Sequence, residues 1–103
     1  MKKTINVIIK TPDEKVGHME PIRNILADMQ EIVGGYLETV PAYGNTIIVC
    51  NEEGAIRGFE PNFASPYGII RGPVFVCGTD EEDFDDCPMD LKMWADILGA
   101  WGN

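Results

Sequence analysis

The chain predicts a single α+β domain: one small mixed sheet, mainly antiparallel, with two helices packed on it. Three observations carry that expectation. Strand-length runs rich in β-branched residues recur at 4–10 (TINVIIK), 46–51 (TIIVCN) and 73–78 (PVFVCG). Ile22, Ile25, Leu26, Met29, Ile32 and Val33 fall at the i, i+3, i+4, i+7 spacing of one helical face. A second such stripe, Leu91, Trp94, Ile97, Leu98 and Trp101, closes the chain.

In order, residues 4–10 form the first strand, broken by the turn chemistry of Thr11-Pro12-Asp13-Glu14. A short edge strand is expected at 15–19, interrupted by Gly17. Residues 21–33 read as the first helix. Pro21 suits its first turn, where a missing N–H costs nothing, and Glu20 sits at the positive end of its dipole. Gly34-Gly35 ends it, because glycine adopts the left-handed conformation a helix C-terminus uses. Residues 36–40 are the next strand, closed by Pro41, and 42–45 a hairpin-type turn. The apolar run 46–51 is the candidate central strand. Glu52-Glu53-Gly54 turns the chain, and 55–57 returns as a short strand. Residues 58–67 hold two prolines and little periodicity, so they read as a loop with one helical turn near 62–64. Residues 69–71 and 73–78 supply the last strand material, and 79–86 an acidic loop. The final helix spans 88–100, capped by Asp86 or Cys87, with Asp90 in its first turn.

At 103 residues and 45% hydrophobic side chains, the chain has the size and apolar content of one domain with a core. Seventeen acidic side chains face eight basic ones, a formal net charge of −9. Such a surface repels nucleic-acid phosphates, so no direct nucleic-acid contact is expected. It can instead seek basic partners, including surfaces that normally hold DNA or RNA. The plainer role of the charge is solubility. No apolar run is long enough to span a bilayer, so no membrane partner is expected, and Lys2-Lys3 lead into a mixed strand instead of a signal sequence. Cys50, Cys77 and Cys87, odd in number and without framework spacing, read as free thiols in a reducing compartment, with the cytoplasm expected.

Candidate chemistry is sparse. The acidic run Asp80-Glu81-Glu82-Asp83-Phe84-Asp85-Asp86 has the carboxylates a hard cation likes, but lacks the central glycine of a calcium loop. It reads as a solvated loop, and no metal or cofactor is expected. Cys50 and Cys77 lie in apolar strands as small core hydrophobes. Cys87 combines a helix N-terminus, which favours thiolate, with carboxylates, which oppose it. His18 is the only histidine and has no assignable nucleophile partner. The glycine-rich nucleotide loops, the nucleophile elbow and the zinc-protease string are all missing. The most suggestive set is the polar edge of the central hairpin: Asn51, Glu52, Glu53, Gly54, Arg57, Asn62 and Arg71. Arg57 and Arg71, scarce cations here, can hold one small anion beside turn amides; the plainer reading makes them salt-bridge partners of the many carboxylates.

Several ordered strings carry a resemblance. They are 26–36 (LADMQEIVGGY), 37–40 (LETV), 48–54 (IVCNEEG), Gly58, Pro61-Asn62 and 72–78. Together they resemble a family of small proteins from phages and mobile elements of Gram-positive gut bacteria, catalogued as a domain of unknown function. The similarity covers most of residues 3–80. It implies a mobile-element context, in which small proteins often blunt host defence, some by inhibiting nucleases. It supplies no catalytic residues to carry over.

The leading expectation is therefore a non-enzymatic binding protein. Glu52, Glu53 and the run Asp80, Glu81, Glu82, Asp83 and beyond would dock on the basic surface of a host defence protein. The alternative is a binder that sequesters a nucleotide-like signal. Arg57 and Arg71 would hold the phosphate, and Tyr36, Tyr43 or Phe63 would stack on the base. An enzyme ranks last, for want of a nucleophile–base pair or metal cluster. Trp94 and Trp101 share one stripe, which allows the last helix to pack on its own domain or on a second copy in a homodimer.

Overall fold

Alternation along the first strand sends Ile5, Val7 and Ile9 to one side and Ile8 to the other; all four are buried, so this strand is covered on both faces. The computed structural model describes residues 2–81 and 83–103. The elements are β1 (Thr4–Lys10), β2 (His18–Arg23), α1 (Leu26–Val33), β3 (Leu37–Tyr43), β4 (Thr46–Asn51), β5 (Pro61–Ser65), β6 (Gly68–Arg71), β7 (Val74–Asp80), β8 (Asp83–Asp85) and α2 (Leu91–Ala100). The main sheet runs β2-β1-β7-β4-β3, with β8 paired to the C-terminal end of β7. These pairings are antiparallel. β5 and β6 form a separate hairpin. The expected α+β architecture, with two helices on a mainly antiparallel sheet, is present.

β7 is the middle strand, and Val74, Phe75, Val76 and Cys77 are fully buried. Its alternate side chains serve two cores. Phe75 and Cys77 join Ile5, Val7, Met29 and Val33 beneath α1. Val74 and Val76 join Ile8, Ile48, Phe63, Trp94 and Leu98 beneath α2 and the β5–β6 hairpin. The helices therefore lie on opposite faces of the sheet. Phe63 stacks on Trp101 at 6.2 Å and meets Trp94 edge-on at 5.5 Å, so α2 packs on its own domain.

Several elements differ from the sequence expectation. Residues 21–23 end β2 and do not start a helix. Pro21 sits opposite Asn6 on an outermost strand, where a missing N–H leaves no ladder bond unmade. The edge strand expected at 15–19 thus lies at His18–Arg23, and Ile22 buries as a strand residue. α1 starts only at Leu26, and its N-cap, Ile25, offers no side-chain bond. Gly34 ends α1 as expected, in the left-handed region (φ 79°). Pro41 lies inside β3, the opposite edge, beside a register irregularity between Pro41 and Tyr43. Each edge of the main sheet thus carries a proline, which removes a donor and blunts strand-to-strand association. β4 is interior, but the centre is β7.

Residues 55–57 belong to a run of turns, not a strand. Residues 61–65 are strand β5, with no helical turn at 62–64, and 69–71 pair with β5 instead of extending β7. Within the acidic segment, Asp83–Asp85 is a strand, with Asp80 opposite Asp83. Asp90, not Asp86 or Cys87, caps α2: its Oδ1 accepts from the Met93 N–H at 2.8 Å.

Two outcomes follow from this packing. The Trp94 ring is fully buried, and its Nε1–H donates to the Val16 carbonyl at 3.0 Å. In urea titrations Trp94→Ala should cost about 3–5 kcal/mol, whereas the same change at exposed Tyr43 should cost less than about 0.5 kcal/mol. His18 stands 2.8 Å from Glu14 and 3.5 Å from Glu20. The hydrogen bond to Glu14 is the main cause that raises its pKa above the ordinary 6.5. The stabilisation from the charged ring is complete below 6.5 and is lost as pH rises through the raised value. Thermal melts taken upward from pH 6.5 should therefore show the native chain losing its advantage over His18→Gln.

Candidate functional site

The last carbonyls of a helix have no partner within it and carry the negative end of its dipole. In α1 they are met from outside. Asn51, buried at the end of β4, donates through Nδ2 to the Val33 carbonyl at 3.1 Å. Arg57 donates through Nη1 to the Gly34 carbonyl at 2.9 Å, and its guanidinium lies 5.0 Å over the Phe59 ring. The Asn51 Oδ1 also accepts the Glu53 N–H at 2.7 Å, which shapes the Glu52-Glu53-Gly54 turn. Gly35 approaches so closely that an added Cβ would lie 2.8 Å from the Asn51 amide nitrogen. Arg71 donates to the Phe59 carbonyl at 3.2 Å.

Asn62 has a second structural task. Its Nδ2 donates to the Lys10 carbonyl at 2.9 Å and to the Gly72 carbonyl at 2.8 Å, and its Oδ1 accepts from Lys10 Nζ. Lys10 is only 3% exposed, and its Nζ lies 5.6 Å from the Phe63 ring centroid. Burial lowers its pKa below the ordinary 10.5. Sequence reasoning missed Lys10, because a lysine ending a strand usually reads as exposed.

The expected acidic surface is divided. Thr46 pairs with Gly78, so the start of β4 adjoins the end of β7 that leads to Asp80, Glu81 and Asp83. Glu52 and Glu53 follow Asn51 at the other end of β4, about 17 Å away at strand rise. Glu82 lies outside the described residues. Asp85 and Asp86 are held by Lys2, at 3.0 and 2.5 Å, and Asp86 also accepts the Asn6 N–H. Asp80, Glu81, Asp83, Glu52 and Glu53 face solvent and make no ion pair among the described residues. No group of three or more His, Cys, Asp or Glu side chains among the described residues is arranged to hold a metal ion.

Four of the expected residues, Asn51, Glu52, Gly54 and Arg71, do meet at one cleft of about 170 Å³ between β3 and the β5–β6 hairpin. Buried Val40, Cys50 and Ile70 line its depth; Glu38, Glu52, Tyr67 and Arg71 form its rim. Arg57 and Asn62 are not part of it. Burial, helped by the Glu38 charge, pushes the Cys50 thiol up to about 11. Burial is the main cause that pushes Cys77 to about 12 and raises Cys87. The cysteines are therefore thiols at neutral pH, without the lowered pKa of a nucleophile. Glu38 and Tyr67 were not anticipated. The signal for Tyr67 was present: Ser65-Pro66-Tyr67-Gly68 has the serine, proline and glycine positions of a four-residue turn.

The domain-of-unknown-function model DUF3846 matches residues 4–98. The chain belongs to the DUF3846 family. That match spans every strand and most of α2, so the cleft and both cores lie within the DUF3846 domain. No curated protein and no solved structure matches the chain. No described helix is long and apolar enough to cross a membrane.

The Asn62 contacts predict a specific coupling. Asn62→Leu removes the side-chain acceptor of a buried ammonium and should cost about 2–3 kcal/mol in guanidinium unfolding. In Lys10→Met the same Asn62→Leu change should cost markedly less, because no buried charge is left unpaired.

Proposed function

We propose that this DUF3846 protein is a non-enzymatic accessory protein of a phage or mobile element that binds and inhibits a host defence factor, such as a nuclease. One observation carries the reading. The polar side chains that a reactive site would draw on, Asn51, Arg57, Asn62 and Arg71, donate to main-chain carbonyls, while carboxylates at both ends of the sheet face solvent. The resemblance to small mobile-element proteins supports the setting, and thiols at Cys50, Cys77 and Cys87 fit the host cytoplasm.

The mechanism is electrostatic competition. Asp80, Glu81 and Asp83 project from the β7–β8 hairpin, and Glu52 and Glu53 from the opposite end. A basic groove that normally takes nucleic acid would be attracted to them, with rapid association and strong dependence on salt. The sequestering alternative fares worse on the same geometry. Arg57 is held by the Gly34 carbonyl, Phe63 is buried in the core, and Tyr43 ends β3 away from the turn. The cleft that Arg71 lines also carries Glu38 and Glu52, which repel a phosphate.

The test is affinity capture with the purified protein from element-bearing cells, followed by salt titration of the captured partner. The partner should have a basic surface, and nucleic acid should compete with this protein for it. Asp80→Lys with Asp83→Lys, or Glu52→Lys with Glu53→Lys, should weaken binding by about tenfold or more. Affinity indifferent to salt and to both pairs of reversals would contradict the proposal.

A further inference from the structure

We infer that the cleft between β3 and the β5–β6 hairpin seats one basic side chain, an arginine or a lysine, presented by a protein partner. The inference rests on the acidic-docking reading and locates it at the Glu52 end of the sheet.

Size comes first. The cleft measures about 170 Å³. Small-molecule sites generally run from roughly 300 to 1,000 Å³. A space this small suits a single long side chain better than a nucleotide. Its chemistry is graded to match. Val40, Cys50 and Ile70 are buried at its depth and offer an apolar track for a methylene stem. Glu38 and Glu52 on the rim offer carboxylates for the charged head, and the exposed Tyr67 ring offers a face for it. Neither carboxylate makes a hydrogen bond or ion pair among the described residues. Glu38 is on the cleft side of β3, since it stands directly opposite Cys50 in the antiparallel register and the two side chains share a face.

Arg71 is the one cation on the rim among the described residues, but it bonds the Phe59 carbonyl and pairs with neither glutamate. The cleft therefore keeps a net negative charge. The surroundings favour a protein over a free ion or amine. Ile69 and Tyr67 are 54% and 67% exposed on the hairpin, and Tyr36 and Ile56 are exposed in the segments that flank Glu52. Exposed large apolar and aromatic groups around a charged recess are what a protein interface uses.

The experiment is an amide NMR titration with two short peptides, acetyl-Gly-Arg-Gly-amide and its citrulline counterpart, which keeps the shape and loses the charge. The arginine peptide should bind with a Kd of order millimolar and shift Glu38, Cys50, Glu52, Tyr67 and Ile69. The citrulline peptide should bind about tenfold more weakly or not at all. Glu38→Gln with Glu52→Gln, two exposed and unbonded positions, should abolish the shifts. Arg71→Gln should tighten binding by about threefold, an effect a merely structural arginine would not produce. Equal shifts from both peptides, shifts confined to Asp80 and Asp83, or no shifts at all would overturn the cleft assignment. Shifts confined to Asp80 and Asp83 would leave acidic docking standing, because the captured partner's response to salt tests it separately.

Discussion

A buried ammonium group needs acceptors, and Lys10 takes them from Asn62. That contact organises one whole side of the molecule. Lys10 ends β1, and the β5–β6 hairpin closes over it. Because the same Asn62 side chain also donates to the carbonyls of Lys10 and Gly72, the hairpin is tied both to the sheet and to the strand that follows it. So positioned, the hairpin delivers Phe63 to Trp94 and Trp101, and Ile70 to the core. It also forms one wall of the cleft at Glu38 and Glu52. A hairpin shifted by one residue would leave Lys10 without its side-chain acceptor.

The other side is simpler. β7 is apolar throughout its buried length, and α1 covers it with Met29 and Val33. α1 is short, and its C-terminal carbonyls are completed by Asn51, at the end of β4, and by Arg57 from the turns that follow. Arg57 is thus used where a helix dipole and orphan carbonyls favour a cation. What remains for a partner is the exterior, where carboxylates outnumber cations.

Much of the fold was legible because periodicity marks elements covered on one or both faces. β1, β4, β7 and the α2 stripe read correctly for that reason. β2 did not, since only Ile22 among its residues is buried and no alternation can show. Ile22 then fell into helical spacing with Ile25 and Leu26, and Pro21 suited a helix start as well as a sheet edge. The β5–β6 hairpin was hidden by Pro61 and Pro66, although the latter marks its turn. The polar candidates stood out by residue type, but their partners are main-chain carbonyls distant in sequence, which composition and spacing do not reveal. The two acidic groups looked like one surface because strand direction, not residue type, separates them.

The Lys10–Asn62 contact makes the β5–β6 hairpin a fixed part of the cooperative core. Native-state hydrogen exchange measures this directly. The Gly72 amide donates to the Glu60 carbonyl at 2.8 Å and stands beside the Asn62 contact. It should exchange only through global unfolding, with the denaturant dependence of the β7 amides around Val76. Exchange through a local opening that leaves β7 protected would contradict the account.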